Sequence, residues 1–124
     1  MSDKTKNIIH WTLAVLVAFI FIGSGIGKLS GGGDEAAKMA AQMGLTLDTL
    51  KILGVVEIIA AILFVIPRTG LLGTLLLAAY MGGAIATHLT HNDSIIAPAV
   101  IEAFVWIAAT VRFPELSQRL LGKK

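Results

Sequence analysis

At 124 residues the chain has room for one domain, yet 56% of it is hydrophobic and only 15% charged, which is more apolar surface than a soluble domain of this size can bury. A net charge of +2, with no basic cluster interleaved with aromatics, excludes a nucleic-acid surface. The absence of cysteine excludes disulfides, thiolate metal sites and CxxC redox chemistry.

The first apolar stretch runs from about Ile8 to Ile26. Lys4 and Lys6 before it resemble the n-region of a signal peptide. The apolar part is too long for an h-region and further spans follow, so an uncleaved span is expected. Trp11 near its start suits an interfacial aromatic belt. The segment GSGIGKLS at its end looks like a phosphate-binding loop but fails the pattern twice: Ile22 stands where Gly is required, and Leu29 where Ser or Thr should follow the Lys. Gly23 and Gly27 read instead as a small-residue row for close helix packing.

The loop from Ser30 to Leu45 contains DEAAKMAAQMG. Asp34 is the expected cap and Gly44 the expected stop. Ala36, Met39, Ala40 and Met43 form one apolar stripe, opposite Glu35, Lys38 and Gln42. That spacing predicts a short amphipathic helix on the outer surface, serving either as a packed connector or as a lid over a pocket.

A second span covers about Leu47 to Ile66, with Thr46 as its N-cap and Pro67 as its stop. The short Pro67-Arg68-Thr69-Gly70 connection predicts an antiparallel hairpin with a third span, about Leu71 to Leu89. A fourth, about Ile95 to Val111, is capped by Ser94 and closes before Pro114. Lipid forces a spanning backbone to satisfy its own hydrogen bonds, so all four are helices. The predicted fold is all-α, a single transmembrane four-helix bundle over residues 1–124 with a short amphipathic helix in the first outer loop. Lys4, Lys6, Arg68, Arg112, Arg119, Lys123 and Lys124 fall on one side, against Lys28, Lys38 and Lys51 on the other. This asymmetry predicts a multi-pass protein of the cell membrane with both termini cytoplasmic.

Three helices place a polar group at one depth. Glu57 lies ten residues from Pro67 and Glu102 ten from Arg112, each roughly 15 Å along the helix axis. Tyr80 lies twelve residues from Arg68, roughly 18 Å along. All three should face the bundle interior, because lipid penalises each of them. Gly54 and Ala61 beside Glu57, and the row Ala78, Gly82, Ala86, would let helices approach. Trp106, four residues after Glu102, is placed to shield it. Two carboxyls at one depth in low dielectric do not both ionise, so Glu57 is expected to face Glu102 and Tyr80 with at least one carboxyl protonated.

A second polar layer surrounds the outer mouth. Ser24 and Lys28 share a face of the first helix. Tyr80, Thr87 and His91 share a face of the third, with His88 close by. Lys28 either snorkels outward or neutralises a carboxylate or an anionic ligand. His88, His91 and Asp93 make too weak a pattern to assign a metal, and ordinary interfacial histidines are expected. His10, at the opposite membrane face, offers no matching haem ligand. The candidate buried polar pocket is therefore Glu57, Tyr80, Glu102, Lys28 and His88. It reads either as hydrogen-bonding glue for the bundle or as a site for a lipophilic ligand or a proton.

The segments GIGKLSG, LGVVEIIAAILFVIP, RTGLLGTLLLAAYMGGAIATHLTH and RFPEL, in this order between about Ile8 and Leu121, resemble the DoxX-like family of small four-helix integral membrane proteins. The resemblance implies a membrane bundle. It also implies an association, seen in some relatives, with quinone-linked oxidoreductase complexes. Quinone is the one cofactor it suggests, and oxidoreductase proteins are the partner class it adds to the lipid bilayer; a homo-oligomer stays open. Lys28, Glu57 and His88 fall on its motifs, but it carries over no catalytic residue. Two functions follow as expectations. One is a non-catalytic membrane subunit or lipophilic-ligand-binding module, not an enzyme on its own. The other is a quinone-reactive subunit in which Glu57, Glu102, Tyr80 and His88 handle protons. A proton-coupled exporter is a third reading, and four spans would have to oligomerise to build it.

Overall fold

The structure, a computed structural model, describes residues 2–30 and 33–122; the side chains of Glu35, Ala36 and Met39 also lie outside the described set. Among the described residues six α-helices follow one another: α1 (Asp3–Leu29), α2 (Gly33–Gln42), α3 (Leu47–Val65), α4 (Gly70–Thr90), α5 (Ile96–Arg112) and α6 (Pro114–Leu120). A single 3-10 turn, Pro67–Thr69, joins α3 to α4, and no strand occurs among the described residues. The all-α expectation holds.

Local chemistry sets the helix ends. Thr46 accepts from Thr49 N at 3.1 Å, as its N-cap role requires. Ser94 accepts from Ile96 N at 3.3 Å and so serves the first turn of α5. Gly44 ends α2 with φ +70°, and Leu45 N donates back to Ala40 O at 2.7 Å. Asp34 departs from expectation. It lies inside the first turn of α2, because that helix already begins at Gly33. Half of the expected apolar stripe of α2, Ala36 and Met39, is outside the described side chains; Ala40 is buried and Met43 half-buried.

Among the described residues two units are long and apolar enough to cross a membrane: α1, and the turn with α4 from Pro67 to Thr90. A third exists only if α5 and α6, bent by 109° at Phe113, are taken as one broken span. The remaining expectations fall short for separate reasons. α3 carries Asp48, Lys51 and Glu57 within its 19 residues. α5 has 17 residues, which at 1.5 Å per residue covers about 26 Å of a core about 30 Å thick.

α1 packs on α3 and α5, and α4 packs on the same two, so α3 and α5 oppose each other across a diagonal. Val17, Phe21, Phe64, Leu77 and Val105 fill the centre. α1 and α3 touch backbone to backbone. A Cβ on Gly25 would lie 2.7 Å from Gly54 O, and a Cβ on Gly54 would lie 2.8 Å from Gly25 O. Close packing through small residues was expected at Gly54, where it occurs, and also at positions where it does not. Gly23, Gly27 and Gly82 have nothing within 4 Å of a built Cβ, and Ala86 is exposed. Those rows point away from the core.

The C-terminus of α3 is fully satisfied. An α-helix leaves its last four carbonyls without intrahelical partners, and here each has found one. Ile62 O accepts from Ile66 N at 3.2 Å. Leu63 O accepts from the Thr69 hydroxyl at 2.8 Å, which compensates for the N–H that Pro67 lacks. Phe64 O and Val65 O accept from Arg112 Nη1 and Nη2 at 2.7 and 3.1 Å. Arg112, expected as a charge on the membrane-flanking side, is instead 3% exposed. Its guanidinium lies 4.7 Å from the Phe64 ring centre and 4.9 Å from that of Phe113. The Phe113 ring in turn occupies the space a Cβ on Gly70 would take.

Gly54→Ala should separate α1 from α3 and destabilise by about 1–3 kcal/mol, since its Cβ meets backbone that cannot yield. Gly82→Ala, in open space, should be neutral or stabilising by up to about 1 kcal/mol from helix propensity alone. Thermal unfolding of both variants in detergent compares them directly, and equal stabilities would refute the backbone contact. In the same assay Arg112→Lys should lose about 1–3 kcal/mol, because one ammonium cannot replace a fork that serves two carbonyls.

Candidate functional site

Three residues on α1 and α3 meet just beside the glycine contact. Ser24 and Lys28 are one turn apart on α1, and Gly25 between them brings the backbone of α3 into reach. Glu57 follows Gly54 by three residues, nearly one turn. Lys28 Nζ lies 2.6 Å from Glu57 Oε2 and donates to Ser24 Oγ at 2.7 Å. The Ser24 hydroxyl in turn donates to Glu57 Oε2 at 3.3 Å. Glu57 is 2% exposed, while the Lys28 side chain keeps 23%. The triangle is an ion pair with a bridging hydroxyl, held in an apolar wall.

The rest of the site comes from α4. Lys28 Nζ lies 5.9 Å from the centre of the Tyr80 ring, and the Tyr80 hydroxyl is near enough to the Glu57 carboxylate to interact with it electrostatically. His88 stands two turns beyond Tyr80. Its Nδ1 donates to Ala84 O at 2.7 Å, since a carbonyl only accepts. Its Nε2 lies 3.7 Å from Asp93 Oδ2. His91 uses Nδ1 in the same way, donating to Thr87 O at 2.8 Å.

These groups border a cavity of about 910 Å³. Ser24, Lys28, Glu57, Tyr80, Thr87 and His88 supply most of its polar lining, and apolar side chains of α1, α3, α4 and α5 supply the remainder. Ala40, Met43 and Leu45, from α2 and the loop after it, also border it at the Lys28 end. The outer-loop helix therefore contributes to the wall of the pocket, which composition alone did not require. Volumes of this size are typical of sites for drug-sized or larger ligands.

Four of the five expected site residues, Lys28, Glu57, Tyr80 and His88, come together here. Glu102 does not. It is half-buried on α5 and is absent from the cavity lining. The expected Glu57–Glu102 pairing is replaced by the Lys28–Glu57 pair, because α5 and α3 lie on a diagonal while α1 and α3 are neighbours. An ammonium at 2.6 Å removes the need for a shared proton. Lys28 likewise does not snorkel outward; of its two expected roles it takes the neutralising one. Sequence reasoning left Ser24 out of the site, although its i, i+4 spacing to Lys28 was visible. Leu45 carried no signal, whereas Ala40 and Met43 lie on the apolar stripe of the outer-loop helix.

A profile described as the DoxX-like family matches residues 12–111. No curated protein and no solved structure matches the chain.

The ion pair makes a double-mutant cycle informative. Lys28→Met or Glu57→Leu alone should each lower stability by about 3 kcal/mol, the lower end for a broken buried pair because one partner stays part-exposed. The double variant Lys28→Met/Glu57→Leu strands no charge and should recover most of that loss. Reversible denaturation in mixed micelles measures all three. Losses that simply add would mean the two residues do not interact.

Proposed function

The chain belongs to the DoxX-like family, and from that premise we propose that it is a multi-pass membrane protein whose four long helices cross the bilayer, with both termini cytoplasmic. Family membership and the apolar helices mark a membrane protein. The finer reading draws on the packing of α1, α3, α4 and α5 around one core. It also draws on exposed apolar side chains such as Phe19, Leu75, Ile96 and Ile107, which need an apolar solvent. The charge count that keeps α3 below a plain membrane span is eased by the pairing of Glu57 inside the protein. For orientation, Arg112 and Lys28 leave the count of loop charges because both are engaged within the bundle. Six cations then stand against two, in the same direction.

Within that frame the protein is a non-catalytic module that binds a lipophilic ligand. The observation that carries this is the cavity of about 910 Å³, bordered by a buried ion pair and otherwise apolar walls. A bundle that needed the pair only as glue would close around it.

Two experiments test the reading. A fluorescent-protein fusion at Lys124 should fluoresce and an alkaline phosphatase fusion there should be silent; active phosphatase would invert the topology. Protein purified from native membrane should carry a lipophile that extraction and mass spectrometry identify. Its amount should fall several-fold in Ala84→Phe, which fills the cavity from α4. An unchanged load in Ala84→Phe would remove the cavity as the binding site. A quinone as the bound species would favour the redox-subunit reading instead.

A further inference from the structure

The cavity is open on one side. Gly73, Tyr80 and Thr87 recur every seven residues on α4, each step turning about 20°, so they share one face. At Gly73 that face touches the backbone of α3, where a Cβ would collide with Phe64 N and Cα. At Tyr80 and Thr87 the same face borders the cavity. α3 and α4 therefore meet next to their connecting turn and part toward the Lys28 end. Ala79 and Gly83, on the adjoining flank of α4, are exposed and yet border the cavity too. The opening to the outside is at their level, about 14–20 Å along α4 from Gly70. In a spanning helix that is the depth of acyl chains.

The polar wall has a definite unsatisfied chemistry. An ammonium has three N–H donors. Ser24 and Glu57 take two of those of Lys28. Lys28 and Ser24 both reach Oε2 of Glu57, and a carboxylate has about four acceptor sites, so it keeps capacity to accept even with the Tyr80 hydroxyl beside it. The wall thus offers one donor and one acceptor side by side, and its net charge is zero. A head that both accepts and donates, and that carries no charge, completes it. An anionic head would lie against Glu57, and a cationic one against Lys28, at the cost of burying a like charge.

Resting on the cavity reading above, we propose that the ligand is a membrane amphiphile with a neutral hydroxyl- or carbonyl-bearing head, admitted sideways from the bilayer between α3 and α4. Its head meets Lys28 and Glu57, and its chain lies along the small residues Ala79 and Gly83. Anionic heads are disfavoured by Glu57 and cationic ones by Lys28.

The test uses three probes with the same oleoyl or oleyl chain: 1-monooleoylglycerol, oleate and oleylamine. Binding to the full chain in nanodiscs is measured by displacement of a tritiated form of each, and a chain-diazirine monoacylglycerol maps the contact by photocrosslinking. The wild type should hold monooleoylglycerol at least tenfold tighter than either charged probe. Crosslinks should fall on α3 and α4 near Leu53, Ala79 and Gly83. Gly83→Leu, which has open space for its side chain, should keep the fold and lose at least tenfold in monooleoylglycerol binding. Glu57→Gln leaves an uncompensated ammonium and should shift preference to oleate; if that variant does not fold, Gly83→Leu and the crosslinks still decide. Tightest wild-type binding of a charged probe would overturn the neutral head. Crosslinks confined to α1 and α5, or unchanged binding in Gly83→Leu, would overturn the sideways entry while leaving the cavity reading intact. Failure of all three probes to bind, with no crosslink anywhere in the cavity, would overturn this proposal and count against the cavity reading as well.

Discussion

The contact between Lys28 and Glu57 is the constraint from which the rest of the arrangement follows. A carboxylate in the middle of an apolar helix is tolerated only if something neutralises it. Here the neutralising group is on the neighbouring helix, and it reaches its partner only because the two backbones nearly touch at Gly25 and Gly54. Each charged residue lies three positions beyond its glycine, nearly one turn along from the point of closest approach. The glycines set the distance and the charges set the register. Any sliding of α1 against α3 would break a 2.6 Å contact and strand two charges. The cavity is bordered by this pair, so the position of its polar wall is fixed by the same lock.

The two ends of the molecule use a cation in opposite ways. At the end carrying Arg112 the charge has no acidic partner in its hydrogen bonds. It is spread over two helix-terminal carbonyls and two aromatic faces, which suits a delocalised and weakly hydrated guanidinium. Those bonds tie α5 to α3 across the diagonal, and with Phe113 pressed on Gly70 they close that end. At the other end a compact ammonium meets a carboxylate, and the helices part. A molecule sealed at one end and splayed at the other holds an opening without needing a flexible core.

Much of this was legible in the sequence along the helix axis and little of it around the axis. The cap at Thr46, the stop at Gly44 and the break at Pro67 follow from local chemistry and act as read; Ser94 does not hold the N-cap position of α5, which falls on Ile95, and bonds Ile96 N from one residue earlier. Depth also follows, since rise per residue is fixed; it puts Glu57 and Tyr80 at one level and Lys28 and His88 in a second layer toward the outer mouth, and the cavity borders both. Azimuth does not follow. Glu57 and Glu102 share a level, but which helices are neighbours depends on packing that no single segment encodes, and the diagonal keeps them apart. The glycines show the same limit. Gly25 is the contact, yet Gly23 and Gly27 fit a small-residue row equally well on paper. Arg112 was read as a loop charge because its place beside Pro114 marks a helix end. Its burial depends on orphaned carbonyls of a helix 47 residues earlier.

The pairing also resolves an imbalance among the helices. α1 has apolar length to spare, with a mean hydropathy of 2.0 over its best stretch. α3 carries three charged side chains in 19 residues. A helix of that kind is poorly stabilised in lipid by its own composition, because each uncompensated charge at depth opposes insertion. Asp48 and Lys51 occupy its first two turns, where an interface can solvate them. Glu57 has no such outlet. Its compensation comes from Lys28, near the end of α1, so one helix supplies the counter-charge that its neighbour lacks. The glycine contact, the ion pair and the wall of the cavity are then one feature seen at three scales.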